Sequence, residues 1–301
     1  MKNRNKVNNK IHVGSYAFDI ILVIVMIAIA IVMIYPFLNI IAISLSSNAM
    51  ISSGKVTWWP KNLNLRGYEI VFGQSDIWIA YKNTIIYAAL GTAINLLLTS
   101  MIAYALMRKD FVLRKPITIM LLITMFFTGG TVPTYIIISK LKLLNSMWAL
   151  VLPNAVSAYN IFVYRAFYKG ISTEIREAAM VDGASEFRIL FRIYMPLSKA
   201  LYASFGLFSV VFIWNSFFEA LLYIKDEAKQ PIQMILRKIL FTSGAAGGTF
   251  DGVSEMVRNG AINPKNVQYA CIIATIGPIL IVYPFVQKYF AQGVQIGAVK
   301  G

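Results

Sequence analysis

The chain carries one histidine, His12, and one cysteine, Cys271. His12 lies in a polar leader, so no histidine is available for a catalytic relay. The lone cysteine excludes a disulfide framework and a cysteine-based metal site. No G-x-x-x-x-G-K-[ST] stretch occurs, and no dinucleotide-type glycine fingerprint opens a helix. The nearest approach, GAAGGT from Gly244, lacks the Lys-Ser/Thr pair that would make a phosphate loop and reads as a flexible loop. Charge is scarce as well, at 14% of residues against 58% hydrophobic. A chain so equipped performs no bond chemistry itself and draws any driving energy from a partner or an ion gradient.

What is present in abundance is uninterrupted apolar sequence. No charged residue occurs between Asp19 and Lys55, Lys82 and Arg108, Lys115 and Lys140, Lys142 and Arg165, Lys199 and Glu219, or Lys265 and Lys288. About 20 apolar residues cross a bilayer core, so the six windows predict six spanning helices in an all-α integral membrane protein. The expected spans are 20–43, 83–107, 116–139, 146–167, 197–223 and 267–287, with outer loops 44–82 and 225–266. Residues 1–16 form a basic leader and 17–301 a single membrane domain. The long apolar run after the leader has no A-x-A-like cleavage site and reads as a retained first span. Gly129-Gly130 with Pro133 predicts a break in the third span, and Pro231–Leu240 an amphipathic surface helix. Trp58 and Trp59 suit a headgroup-depth segment. With the N-terminus inside, the inner segments hold 16 of the 28 Lys and Arg and the longer outer ones 12. That bias predicts N-in and C-in and attributes the net charge of +15 to span flanks rather than to nucleic-acid binding.

One polar island, residues 172–196, interrupts this pattern. Glu177-Ala178-Ala179 gives a small-residue helical surface, and Asp182-Gly183 a turn in which glycine is free to take the left-handed conformation. Ser185 and Glu186 suit the cap and first turn of a second helix, and Pro196 the start of another. The expectation is a helical hairpin hinged at glycine, on the cytoplasmic side, with a close-approach alanine face: a docking surface.

The spacing within that island resembles the cytoplasmic loop of bacterial ABC importer permeases: E-A-A, three residues, G, nine residues, then I-x-L-P. Here it reads Glu177-Ala178-Ala179, Gly183 and Ile193-Tyr194-Met195-Pro196, with Met195 as the one departure, a volume-conserving swap. Asp182-Gly183-Ala184-Ser185 resembles the carbohydrate branch, and the tail Gln287–Gly301 is similar to the ending of the maltose-type second permease. Gly129–Tyr135 and Leu143–Leu150 resemble a subgroup that handles complex oligosaccharides and plant or algal polysaccharide fragments.

The resemblance implies a type I importer transmembrane domain paired with a second permease. It also implies two ATPase subunits that bind ATP and magnesium, and an extracytoplasmic solute-binding protein that delivers an oligosaccharide. Glu177, Ala178, Ala179, Asp182, Gly183, Ala184 and Ser185 become the ATPase-docking residues, and the chain itself needs no cofactor. Tyr104, Trp148, Asn160, Trp214, Asn215 and Tyr223 are the aromatic and amide candidates for the sugar path, each equally suited to interfacial or helix-bridging roles. Two other readings stand beside this one: an ABC permease for a non-sugar solute, and a secondary transporter using Glu219 as its ionisable group.

Overall fold

A computed structural model describes residues 13–242, 256–257 and 259–298. His12, most of the leader and GAAGGT therefore lie outside the described residues. The regular secondary structure of the described residues is helical, apart from an isolated antiparallel bridge between Ser46 and Leu63.

The first helix, α1 (Val13–Ser44), is apolar on every side, and its side chains from Phe18 to Phe37 are exposed. Its end is better anchored. Asn266 donates through Nδ2 to the carbonyls of Ile43 and Ser44 at 3.1 and 3.0 Å, satisfying terminal acceptors that a helix leaves unpaired. The approach is so close that a Cβ on Gly67 would fall 2.2 Å from Asn266 Oδ1, which accounts for glycine there. The expected outer loop 44–82 then folds into α2 (Asn48–Ser52), α3 (Arg66–Gly73) and the first turns of α4 (Ser75–Met107). The second span thus starts well before Asn83, because Asp76 and Lys82 are tolerated in helical turns beyond the apolar window.

Helix α4 is the centre of the bundle and packs on α8 (Ala158–Lys169) and α12 (Lys199–Trp214). Between apolar ends, the middle of its buried face carries small and polar residues: Thr84, Gly91, Thr92, Asn95, Thr99 and Ser100. Small residues let helices approach closely in the absence of a hydrophobic drive between them. A Cβ on Gly91 would meet Ile213 Cδ1 of α12 at 2.6 Å.

The third window is broken where expected, into α5 (Arg114–Phe126) and α6 (Thr131–Lys140), with Gly130 at φ +82°. The fourth window is not the continuous helix 146–167. It divides into α7 (Trp148–Val151) and α8, because Pro153 supplies no N–H and the chain turns through Asn154 and Ala155. Asn95 of α4 donates Nδ2 to the freed carbonyls of Asn154 and Ala155 at 3.1 and 3.3 Å.

The hairpin follows as α9 (Thr173–Val181) and α10 (Glu186–Ile189), and α10 continues through a π-helical turn, Leu190–Tyr194, into α11 (Met195–Leu197). Pro196 stands in the first turn of α11, as expected of a helix start, but α11 ends at Leu197 and the long helix α12 begins only after a break. The break falls at buried Ser198 (φ −105°, ψ 24°), and α12 leaves at 85° to the arm before it. The fifth window then yields α12 and α13 (Phe218–Tyr223) separated by Asn215–Phe217. The amphipathic helix α14 (Ile232–Thr242) forms as expected, burying Ile232, Met234, Ile235 and Ile239. The last helix, α15 (Pro264–Ala298), extends beyond both ends of 267–287. Among the described residues, three helices are long and apolar enough to cross a membrane, or four with the bent pair around Ser198.

Candidate functional site: the hairpin Ser172–Pro196

Each turn of the hairpin has a local cause. Ser172 opens α9 by accepting the Glu174 N–H through its hydroxyl at 3.3 Å. The helix closes as a Schellman motif: Ala184 N–H reaches the Ala179 carbonyl at 2.9 Å, and Gly183 N–H the Met180 carbonyl at 3.0 Å. Gly183 holds φ +76° there. An added Cβ would touch nothing within 4 Å, so backbone conformation alone selects glycine. Ser185 then accepts the Arg188 N–H at 3.4 Å and opens α10.

The two arms are joined by charge. Arg176 on α9 pairs with Glu186 on α10. Glu186 also accepts the Tyr104 hydroxyl and pairs with Arg108 Nη1 at 2.8 Å, both at the end of α4. Arg108 holds Asp110 in addition, through Nε at 3.0 Å. Burial works against a charged Glu186, but hydrogen bonds from Arg176 and Tyr104 and the Arg108 charge outweigh it, so the carboxyl sits below its ordinary value. The hydrogen bond from Arg108 draws Asp110 down to about 2. Beneath the charges lies an aromatic floor, with Tyr104 edge-on to Tyr194 at 5.1 Å and Tyr168 edge-on to Tyr194 at 5.5 Å. Ser100, Tyr168 and Tyr202 close a ring of hydroxyl contacts that ties α4, α8 and α12 together.

The seven docking residues divide between the two faces of the hairpin. Glu177, Ala178, Asp182, Gly183 and Ser185 are exposed. Ala179 and Ala184 face inward and pack against the Tyr104–Tyr168–Tyr194 core, so of the alanine pair only Ala178 is on the outer surface. The outer surface is more apolar than its sequence suggested. Val181 is 88% and Phe187 64% exposed, joined by Ile175, Met180 and Phe191. An i, i+3, i+4 pattern reveals apolar faces but not which face the protein covers, and these five were missed for that reason.

The sugar-path candidates do not come together. Tyr104 is buried and donates its hydroxyl to Glu186 at the hairpin. Trp214 is buried and donates Nε1 to the Thr275 carbonyl at 3.1 Å, fastening α12 to α15. Tyr223 is buried with its ring stacked on Tyr135 at 6.1 Å. These three belong to three separate cores, since an apolar window carries no information on facing. Trp148 and Asn215 remain exposed and Asn160 half-buried, with Asn215 accepting from Gln233 Nε2 at 3.2 Å. A groove of about 760 Å³ lies elsewhere, between α3, α4 and α15, lined by Tyr68, Phe72, Trp78, Tyr81 and Lys82 among others.

Comparison with known proteins agrees with this geometry. The family model described as "Binding-protein-dependent transport system inner membrane component" matches residues 111–296, a range that contains the whole hairpin. The chain is 34% identical over 284 residues to the polygalacturonan/rhamnogalacturonan transport system permease protein YtcP of Bacillus subtilis (strain 168), covering 94% of this chain and 98% of that one. It is 36% identical to protein LplC of the same organism, covering 94% and 95%. A solved bacterial ABC transporter, involved in the import of the acidic polysaccharide alginate, contains a chain that superposes with a TM-score of 0.86 at 29% identity, covering 93% of this chain and 98% of that one. The chain belongs to the family of inner-membrane components of binding-protein-dependent transport systems, as a non-catalytic permease subunit with the type I ABC importer fold.

Proposed function

We propose that this chain is one of two permease subunits of an ATP-driven importer in the bacterial cytoplasmic membrane, and that its cargo is an oligosaccharide released from an acidic polysaccharide. The observation that carries the reading is the hairpin: capped at both helix starts, turned at a left-handed glycine, and apolar at its exposed tip. Glu177, Ala178, Asp182, Gly183 and Ser185, with Val181 and Phe187, form the surface that docks on an ATPase subunit, where ATP and magnesium bind. Burial of a docked apolar tip contributes on the order of 25 cal/mol per Å². Closure of the ATPase dimer moves this hairpin and its counterpart on the second permease, and the packed helices switch between inward and outward openings.

Six membrane passes fit the helices in the order α1, α4, α5–α6, α7–α8, α12–α13 and α15, N-in and C-in. Broken helices are acceptable at membrane depth where protein satisfies the freed groups, as Asn95 does for α7–α8. The extracytoplasmic binding protein meets the outer segments, including α2, α3 and α14. Supporting the cargo class, one relative is a polygalacturonan/rhamnogalacturonan transport permease and the similar solved transporter is involved in the import of the acidic polysaccharide alginate. The test is a binding panel on the cognate binding protein, followed by uptake through the complete transporter. Binding and uptake of uronate oligosaccharides, with neutral ones rejected, is the expected result. Selective uptake of an amino acid, peptide or phosphate contradicts the cargo assignment.

A further inference from the structure

The hairpin is connected covalently to α8 through residues 170–172 and to α12 through the bend at Ser198, but not to α4. Yet α4 is the helix on which both α8 and α12 pack. Two polar contacts join the hairpin to α4, Tyr104 Oη to Glu186 and Arg108 Nη1 to Glu186, and both end on the same carboxylate. A third, from Arg176, ties that carboxylate to the opposite arm. Glu186 thus receives one group from α9 and two from the end of α4 while standing on α10 itself.

We propose that Glu186 is the positioning residue that couples the hairpin to α4, so that displacement of the hairpin by the ATPase moves α4 with it. This rests on the reading of the hairpin as the ATPase-docking element. Partly exposed ion pairs are worth at most about 1 kcal/mol each, so their value here lies in geometry rather than in overall stability. Three donors fix the carboxylate from three directions. Without it the hairpin keeps only apolar packing on α4, with Ile189, Leu190 and Tyr194 against Ala103, Tyr104 and Leu106. Such packing is non-directional, so movement reaches α8 and α12 through the covalent connections before α4. Arg108 is itself steadied by Asp110, which touches no part of the hairpin.

The experiment uses the complete transporter in proteoliposomes and reads ATP hydrolysis with and without sugar-loaded binding protein. Glu186→Gln, Arg108→Gln and their double variant are each expected to lower the stimulation ratio by about five-fold or more, the lower end of typical coupling energies. The double loss should match the larger single loss, because the groups act as one contact. The KM for ATP should not move, since nucleotide binds wholly on another subunit. Asp110→Asn, which loosens Arg108 without removing a donor to Glu186, should lower the ratio less than Arg108→Gln does. A wild-type ratio in Glu186→Gln, or losses that add, overturns the proposal. If Glu186→Gln does not assemble, Tyr104→Phe removes a single hydroxyl and leaves the charges. A reduced ratio there supports the coupling role, and an unchanged one overturns it. Absence of stimulation in the wild-type transporter instead overturns the docking reading on which the proposal stands.

Discussion

Gly183 and Glu186 are three residues apart and differ in how far they can be read from sequence. Gly183 is a local matter: a helix must end, and the left-handed residue that ends it is written in Asp182-Gly183-Ala184. Glu186 is legible locally as a first-turn acid. Its structural partners, however, are Tyr104, Arg108 and Arg176, and pairing across such separations leaves no trace in spacing. The same gap explains Tyr104, whose apolar window says that it lies near a membrane and nothing about which neighbour takes its hydroxyl. The lowered Glu186 and Asp110 carboxyls give a pH prediction. A carboxyl whose folded value is depressed contributes stability above its unfolded value, about 4, and loses it as pH falls through the folded value. An environment-sensitive fluorophore on α9 should therefore report an unchanged hairpin from about pH 8 to pH 5 and loosening only below about pH 4. A transition near neutrality contradicts the network.

At the scale of elements, the sequence marks where helices break better than how the breaks are held. Gly129-Gly130 and the amphipathic α14 appear where periodicity and breakers put them. The split between α7 and α8 was hidden because Pro153 lies inside an apolar run and its remedy, Asn95, lies on another helix. Pro196 does sit in the first turn of a helix, α11, but α11 runs on from a π turn and is only three residues long. Asn95→Leu tests how much the remedy matters. Interhelical hydrogen bonds in membranes average only about 0.6 kcal/mol, because unfolded helices find other partners. The carbonyls of Asn154 and Ala155 are non-helical and have no such alternative, so the larger cost of unsatisfied buried acceptors applies, about 1–3 kcal/mol. The unfolding midpoint of the detergent-solubilised complex should fall measurably. An unchanged midpoint shows that the kink does not depend on Asn95.

For the molecule as a whole, class and family were legible from two things: charge-free windows and one spaced motif. The windows state that helices meet lipid, and α1, exposed along its apolar length, is consistent with that. The motif resembles one that, in its family, implies an energy-providing partner. Cargo contacts were not legible, because aromatic and amide residues serve cores, interfaces and sugar sites alike, and three of the six candidates proved to be core. The proposed role of the hairpin is to transmit ATP-driven motion through its turn at Gly183. Gly183→Pro confronts it directly, since proline cannot take the positive φ found there. The decisive measurement is ATP-dependent oligosaccharide uptake by proteoliposomes carrying the assembled Gly183→Pro transporter. The expected result is an intact complex in which uptake is abolished. Uptake at the wild-type rate contradicts it.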